Sequence, residues 1–109
     1  MTKKQLRQAL DIIAPLLDEA DANWKVFGSA AAWLDGRSSR KPHDLDVMLS
    51  LEGAVRAEQL LAPYRVERQV AESGKYRSRR SFYLVGGVEI DLSGGLEELV
   101  DGRWVPVKL

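Results

Sequence analysis

A chain of 109 residues with 45% apolar side chains can bury one hydrophobic core, and residues 1–109 are read as a single domain. Its 16 basic and 16 acidic residues cancel, so no global charge draws it to nucleic acid or to a membrane surface, and any such partner has to be argued from a local patch. With no cysteine and one histidine it can form neither disulfides nor thiolate metal sites, and a histidine-rich zinc site is disfavoured. No apolar run approaches the roughly 20 residues that span a bilayer, so no membrane association is expected. Met1-Thr2-Lys3-Lys4 leads into an amphipathic pattern and not into a signal-peptide block, and the expected location is cytoplasmic.

Thr2 and Gln5 have the spacing of a capping box, and Leu6, Leu10, Ile13 and Leu17 then recur at helical spacing. Pro15 falls inside this helix and predicts a kink or break near Ile13, because it removes a backbone hydrogen bond. Trp24 to Phe27 reads as a short strand. Ser29 is placed to cap a following alanine-rich helix, Ala30 to Asp35, which Gly36 ends. Arg37 to Pro42 is a polar, basic loop, and His43 to Ser50 alternates as a strand. Glu52 to Ala62 reads as a helix with Val55, Leu60 and Leu61 as its apolar residues and Pro63 as its stop. A strand from Tyr64 to Val70 follows, then a polar loop from Glu72 to Ser78. Arg79 to Val85 and Val88 to Leu92 form a hairpin across Gly86-Gly87, a pair suited to a tight turn. Leu96 to Val100 is open between a helical turn and a strand, and Arg103 to Val107 suits an edge strand, where Pro106 is tolerated. A helix between the first two strands suggests a parallel or mixed start. With helices early and strands late, the expected class is α+β (mixed α/β), a mixed sheet flanked by helices.

Three places in this pattern carry chemistry. In the strand His43–Ser50, Asp44 and Asp46 share one face while Leu45, Val47 and Leu49 share the other. Two adjacent carboxylates repel unless a cation or proton intervenes, which makes them a candidate metal site as well as a candidate solvated face. Gly28-Ser29 stands at a strand-to-helix turn, where free backbone N–H groups suit phosphate and glycine permits close approach. Glu89 and Asp91 share the polar face of the later hairpin strand, and either could bring a third carboxylate to the pair if the two strands are neighbours. Three carboxylates can hold one or two Mg²⁺ ions. The sober rival for Asp91 is an ion pair: across a two-residue turn Phe82 lies opposite Asp91, and Arg80 lies diagonal to it. Arg37, Arg40 and Lys41 form a basic loop, either solvated or in contact with phosphate, and Lys75, Arg77, Arg79 and Arg80 form a second basic run. The three tryptophans are expected to pack rather than to stack on bases.

Phe27-Gly28-Ser29, Asp44-Leu45-Asp46 and Asp91, in that order, resemble the nucleotidyltransferase superfamily with the DNA polymerase beta-like fold, and within it the small single-domain members. The resemblance spans Trp24 to Leu92. It implies that Gly28 and Ser29 hold a nucleoside triphosphate, ATP or another. It implies that Asp44 and Asp46 bind Mg²⁺ (or Mn²⁺) with that nucleotide, and that Asp91 completes a second metal position and helps to activate an acceptor hydroxyl. The reaction implied is transfer of a nucleoside monophosphate with release of pyrophosphate. His43 departs from the Ser or Thr common before the first Asp; with Arg40 and Lys41 it is a candidate phosphate contact. By the resemblance, larger relatives carry a helical domain that holds the acceptor and that is not seen here, so acceptor binding is expected to fall to a helical partner protein, to a second subunit or to nothing. Small members often sit beside such a partner, including in toxin–antitoxin pairs, and a catalytically degenerate binding module is the alternative.

Overall fold

The computed structural model describes residues 1–108. Its first helix, α1 (Lys3–Ala20), opens on the expected box: the Gln5 amide donates to Thr2 Oγ1 at 3.1 Å and the Thr2 amide to Gln5 Oε1 at 2.9 Å. Leu6, Ala9, Ile13 and Leu17 form its buried stripe. The break expected at Pro15 does not occur, and the helix runs through it to Ala20. Pro15 and Asp11, whose carbonyl loses its partner, are both on the exposed side, so water can satisfy that carbonyl while the buried stripe holds the helix in place.

The elements that follow are β1 (Lys25–Phe27), α2 (Gly28–Leu34), β2 (Leu45–Leu49), α3 (Leu51–Leu60), a 3₁₀ turn (Ala62–Tyr64), β3 (Arg65–Val66), β4 (Tyr76–Val85), β5 (Val88–Val100) and β6 (Arg103–Pro106). They give the α+β class expected, a mixed sheet of six strands in the order β1-β2-β5-β4-β3. The first half of β5 lies between β2 and β4, and β6 takes the place of β2 along its second half. The sheet does not start in parallel fashion. β1 runs antiparallel to β2, and the parallel pair is β2 with β5.

Several boundaries differ from the sequence reading. β2 begins at Leu45, so His43 and Asp44 precede it. β3 keeps only two residues of the segment Tyr64–Val70, because only Arg65 and Val66 find partners on β4, and both are exposed. β4 starts at Tyr76, inside the expected loop, and Leu96–Val100 is strand. α3 is capped by Ser50, whose Oγ accepts from the Gly53 amide at 3.0 Å. Its buried face is Gly53, Ala54 and Ala57; Val55 is exposed.

One face of the sheet makes the core. Leu45, Val47 and Leu49 of β2, Tyr83 and Val85 of β4, and Val88, Ile90 and Leu92 of β5 pack with the buried stripe of α1 and the small residues of α3. Each large side chain so buried contributes about 1.5–3 kcal/mol. Small residues decide how close α3 comes. A Cβ on Gly94 would overlap the Ala54 Cβ and stand 3.3 Å from the Ser50 carbonyl oxygen. Gly95, next in β5, has φ +62, and the β4–β5 register slips between Arg77 and Arg79. Two residues of β5, Gly95 and Leu96, there stand opposite one of β4, Ser78, a bulge that a positive φ accommodates. Asp21 then ties the end of α1 to the start of α3, accepting from the Ser50 amide at 2.8 Å and the Asn23 amide at 2.9 Å. Burial alone would raise its pKa, but these bonds to the charged form outweigh it and hold the carboxyl below its usual range. None of the helices among the described residues is long and apolar enough to cross a membrane.

The fit of α3 on β5 can be tested by urea denaturation. Gly94→Ala should lower stability by about 2–3 kcal/mol, the cost of overpacking a closed contact, while Gly74→Ala, in open space, should change it by under about 0.5 kcal/mol. Equal midpoints for the two variants would contradict the close approach of α3 to β5.

Candidate metal centre

The face of the sheet opposite the core carries the acids. β2 and β5 pair in parallel with Asp46 directly beside Asp91, and β1 pairs with β2 so that Phe27 lies beside Asp46. Three consecutive neighbours across the sheet are thereby aligned at one level. Asp44, immediately before β2, turns to the same side, and one oxygen from each of Asp44, Asp46 and Asp91 lies within 4.8 Å of the others. Asp91 is buried, and Asp44 and Asp46 are half-buried. Glu89, the competing third carboxylate, is largely exposed and stands outside this group.

The electrostatics of the cluster are those of a site short of positive charge. Asp46 has its pKa raised to about 6, first by burial and then by the charges of Asp44 and Asp91, with Arg80 and Arg68 acting in the opposite sense. Arg80 grips Asp91 with both ends of its fork: Nη2 donates to Oδ2, and Nε donates to Oδ1 at 3.3 Å. The hairpin geometry is as expected, with Phe82 opposite Asp91 and Arg80 diagonal to it. Arg68 reaches the other side, 3.5 Å from Asp44 Oδ2 and 3.8 Å from Glu89 Oε2. Both guanidinium groups lie over the buried Phe82 ring, at 5.6 Å for Arg68 and 5.2 Å for Arg80.

Gly28 directly follows Phe27 and has φ +70, and a Cβ there would stand 3.0 Å from Asp46 Oδ2. Glycine is therefore required twice over, by its backbone and by the carboxylate it faces. The structure thus brings Gly28 against the acidic cluster, with Ser29 beside it in the first turn of α2. Ser29 does not cap the helix, which already begins at Gly28 with Phe27 as its cap residue; the Ser29 side chain is exposed. Arg40, Lys41 and His43 are exposed on the segment leading into β2, and of that segment only its last residue, Asp44, joins the cluster. A cleft of about 520 Å³ opens next to Asp91. Arg80 and Ser93 line the side of the cleft towards the acids, and Tyr76, Arg77, Leu96 and Trp104 lie further out.

The fold that positions these acids has a counterpart among solved structures. The crystal structure of a Thermotoga maritima protein, TM1012, provisionally assigned as a nucleotidyltransferase, matches 97% of this chain with a TM-score of 0.72 at 20% identity. The chain has a nucleotidyltransferase fold. It spans 66% of the length of that protein, and at this identity the likeness carries the fold alone. No family model matches the chain, and no curated protein does. Within the nucleotidyltransferase-fold domain the acidic cluster could hold a divalent metal, since its donors are hard carboxylate oxygens close together on and beside neighbouring strands.

Sequence reasoning gave Arg68 no role, because it placed that residue within a strand. It lies instead in an irregular segment whose path depends on how soon β3 ends. No local pattern marks it.

The raised pKa of Asp46 has a defined sign. A carboxyl with a folded pKa of about 6 and an ordinary value of 3.8 costs stability once ionised, so the penalty is absent below about pH 4 and complete above about pH 6. In metal-free buffer Asp46→Asn should therefore be more stable than the wild-type chain at pH 7, by on the order of 1–2 kcal/mol after solvent screening. The gap should close as pH falls to 4. A gap that is constant with pH in thermal denaturation would contradict the crowding of charge at Asp46.

Proposed function

We propose that this domain transfers a nucleoside monophosphate from an NTP, ATP being the first candidate, to an acceptor hydroxyl in a Mg²⁺-dependent reaction. The observation that carries the reading is the in-register placement of Asp46 beside Asp91, with Asp44 and Gly28 closing the same corner. Asp44 and Asp46 would hold the metal that accompanies the nucleotide, and Asp91 would share it or hold a second. Bound there, a divalent cation supplies charge neutralisation on the transferred phosphoryl group and on the leaving pyrophosphate. Gly28 leaves room for phosphate to approach the backbone beside Asp46, and Ser29 offers a hydroxyl donor from the exposed first turn. Arg40, Lys41 and His43 stay candidate phosphate contacts, since all three are exposed near the entry to β2.

Asp91, the carboxylate furthest from Gly28 across the sheet, would orient the acceptor hydroxyl and take up its proton. The cleft beside Arg80 and Ser93 supports an acceptor entering from that side, so part of its binding surface would belong to this chain and the rest to a helical partner or a second subunit. One observation favours the alternative, a degenerate module that acts with a partner protein: Arg80 already satisfies Asp91 as a structural ion pair would.

Binding of ATP to the wild-type chain, followed calorimetrically, should require Mg²⁺ and fall at least about 100-fold in Asp46→Asn, as loss of a metal ligand removes a charge-assisted contact worth several kcal/mol. ATP affinity unaffected by chelation and by that substitution would contradict the metal assignment. Transfer of label from α-labelled ATP separates the two readings: a labelled acceptor supports the enzyme, and nucleotide binding without transfer supports the module.

A further inference from the structure

The three acids are not bare. Two guanidinium groups face three carboxylates, and both rest on one buried aromatic ring. The pair is not symmetrical. Arg68 is 46% exposed, touches Asp44 at 3.5 Å and divides itself with Glu89. Arg80 uses two donors on a carboxylate whose side chain is only 10% exposed. A forked pair of this kind is the strong form of an arginine–carboxylate contact, and it is strengthened where water is scarce. Asp91 lies directly beside Asp46 in the sheet, and Arg80 is the cation bonded to it there.

We propose that Arg80, braced on Phe82, is the resident counter-cation of the acidic cluster: it holds Asp91 in place of a divalent metal, gives way when the metal binds, and is then free to pair with the phosphates bound alongside it. The inference rests on the metal site proposed above. It follows from charge and reach. A divalent ion drawing on Asp91 meets a fixed positive charge at that carboxylate, which lowers the affinity of the site for metal alone. The planar fork that Asp91 now occupies is equally suited to phosphate oxygens, so the charge it loses on one side is recovered when an anion arrives on the other. Metal and phosphate would then bind cooperatively, with Arg80 as the coupling element. Arg80 is in this sense a positioning residue for Asp91. The Phe82 ring gives the guanidinium a support that does not depend on the carboxylate.

The predicted signature is a pair of effects of opposite sign. Mn²⁺ binding to the full chain is measured by electron paramagnetic resonance of the free ion, for wild type, Arg80→Gln, Arg80→Lys and Asp46→Asn. Arg80→Gln should bind Mn²⁺ alone about 10-fold more tightly than wild type, as removing one fixed positive charge beside the cation relieves their repulsion. Inorganic tripolyphosphate, titrated at saturating Mn²⁺, should bind about 10-fold more weakly to Arg80→Gln. Arg80→Lys keeps the charge without the fork and should fall between the two on both measures. Thermal melts give a second readout: Mn²⁺ should raise the melting temperature of Arg80→Gln by more than that of wild type. Mn²⁺ affinity that is unchanged or reduced in Arg80→Gln overturns the proposal, and loss of both affinities together would mark Arg80 as merely structural. Tighter Mn²⁺ with unaltered tripolyphosphate binding overturns the phosphate half. Failure of the underlying metal reading looks different: Asp46→Asn would then leave Mn²⁺ binding as it is in wild type.

Discussion

The structure depends on one pairing, that of β2 with β5 in parallel and in register, which places two buried or half-buried carboxylates side by side. The same pairing builds the core on the other face, because alternation turns Leu45, Val47, Ile90 and Leu92 inward as it turns Asp46 and Asp91 outward. A slip of one residue would bury the acids and expose the core. The apolar face therefore stabilises the arrangement that the acids oppose. Asp46 bears the strain, with its carboxyl held above the ordinary range, while Arg80 is bonded to Asp91.

Close packing serves the same corner. Small residues let α3 lie directly on β5, so the strand that carries Asp91 is held from behind by helix and from both sides by neighbouring strands. Gly28 does the equivalent on the β1 side, where the backbone must leave the sheet against a carboxylate. The acids are thus set on strands held on several sides, and the turn at Gly28 is packed against one of them. The cleft towards Trp104 opens where β6 replaces β2, so the topology that ends the acidic corner also begins a second surface.

Much of this is legible in the sequence because it is written in short-range patterns. Period-two alternation told which residues of β2 and β5 share a face, and the Gly86-Gly87 turn fixed the hairpin register closely enough to set Arg80 diagonal to Asp91. The capping box of α1 and the glycine after α2 were equally local. What escaped was set by partners distant in the chain. The direction of β1 against β2, the early end of β3 and the route of Arg68 to Asp44 are outcomes of tertiary pairing, and no local residue choice announces them. Pro15 is the converse case. A strong local signal for a break was overridden by four buried side chains on the far side of the helix. Ser29 shows how a good cap residue can be displaced when a glycine before it starts the helix early.

The most direct test of the metal-centred account is a crystal structure of the protein soaked with Mn²⁺ and a non-hydrolysable ATP analogue, read by anomalous scattering. A peak within coordination distance of Asp44, Asp46 and Asp91, with the Arg80 guanidinium moved off Asp91, is the result predicted. A fully ordered site in which Arg80 still grips Asp91 and no anomalous peak lies among the three carboxylates would contradict it.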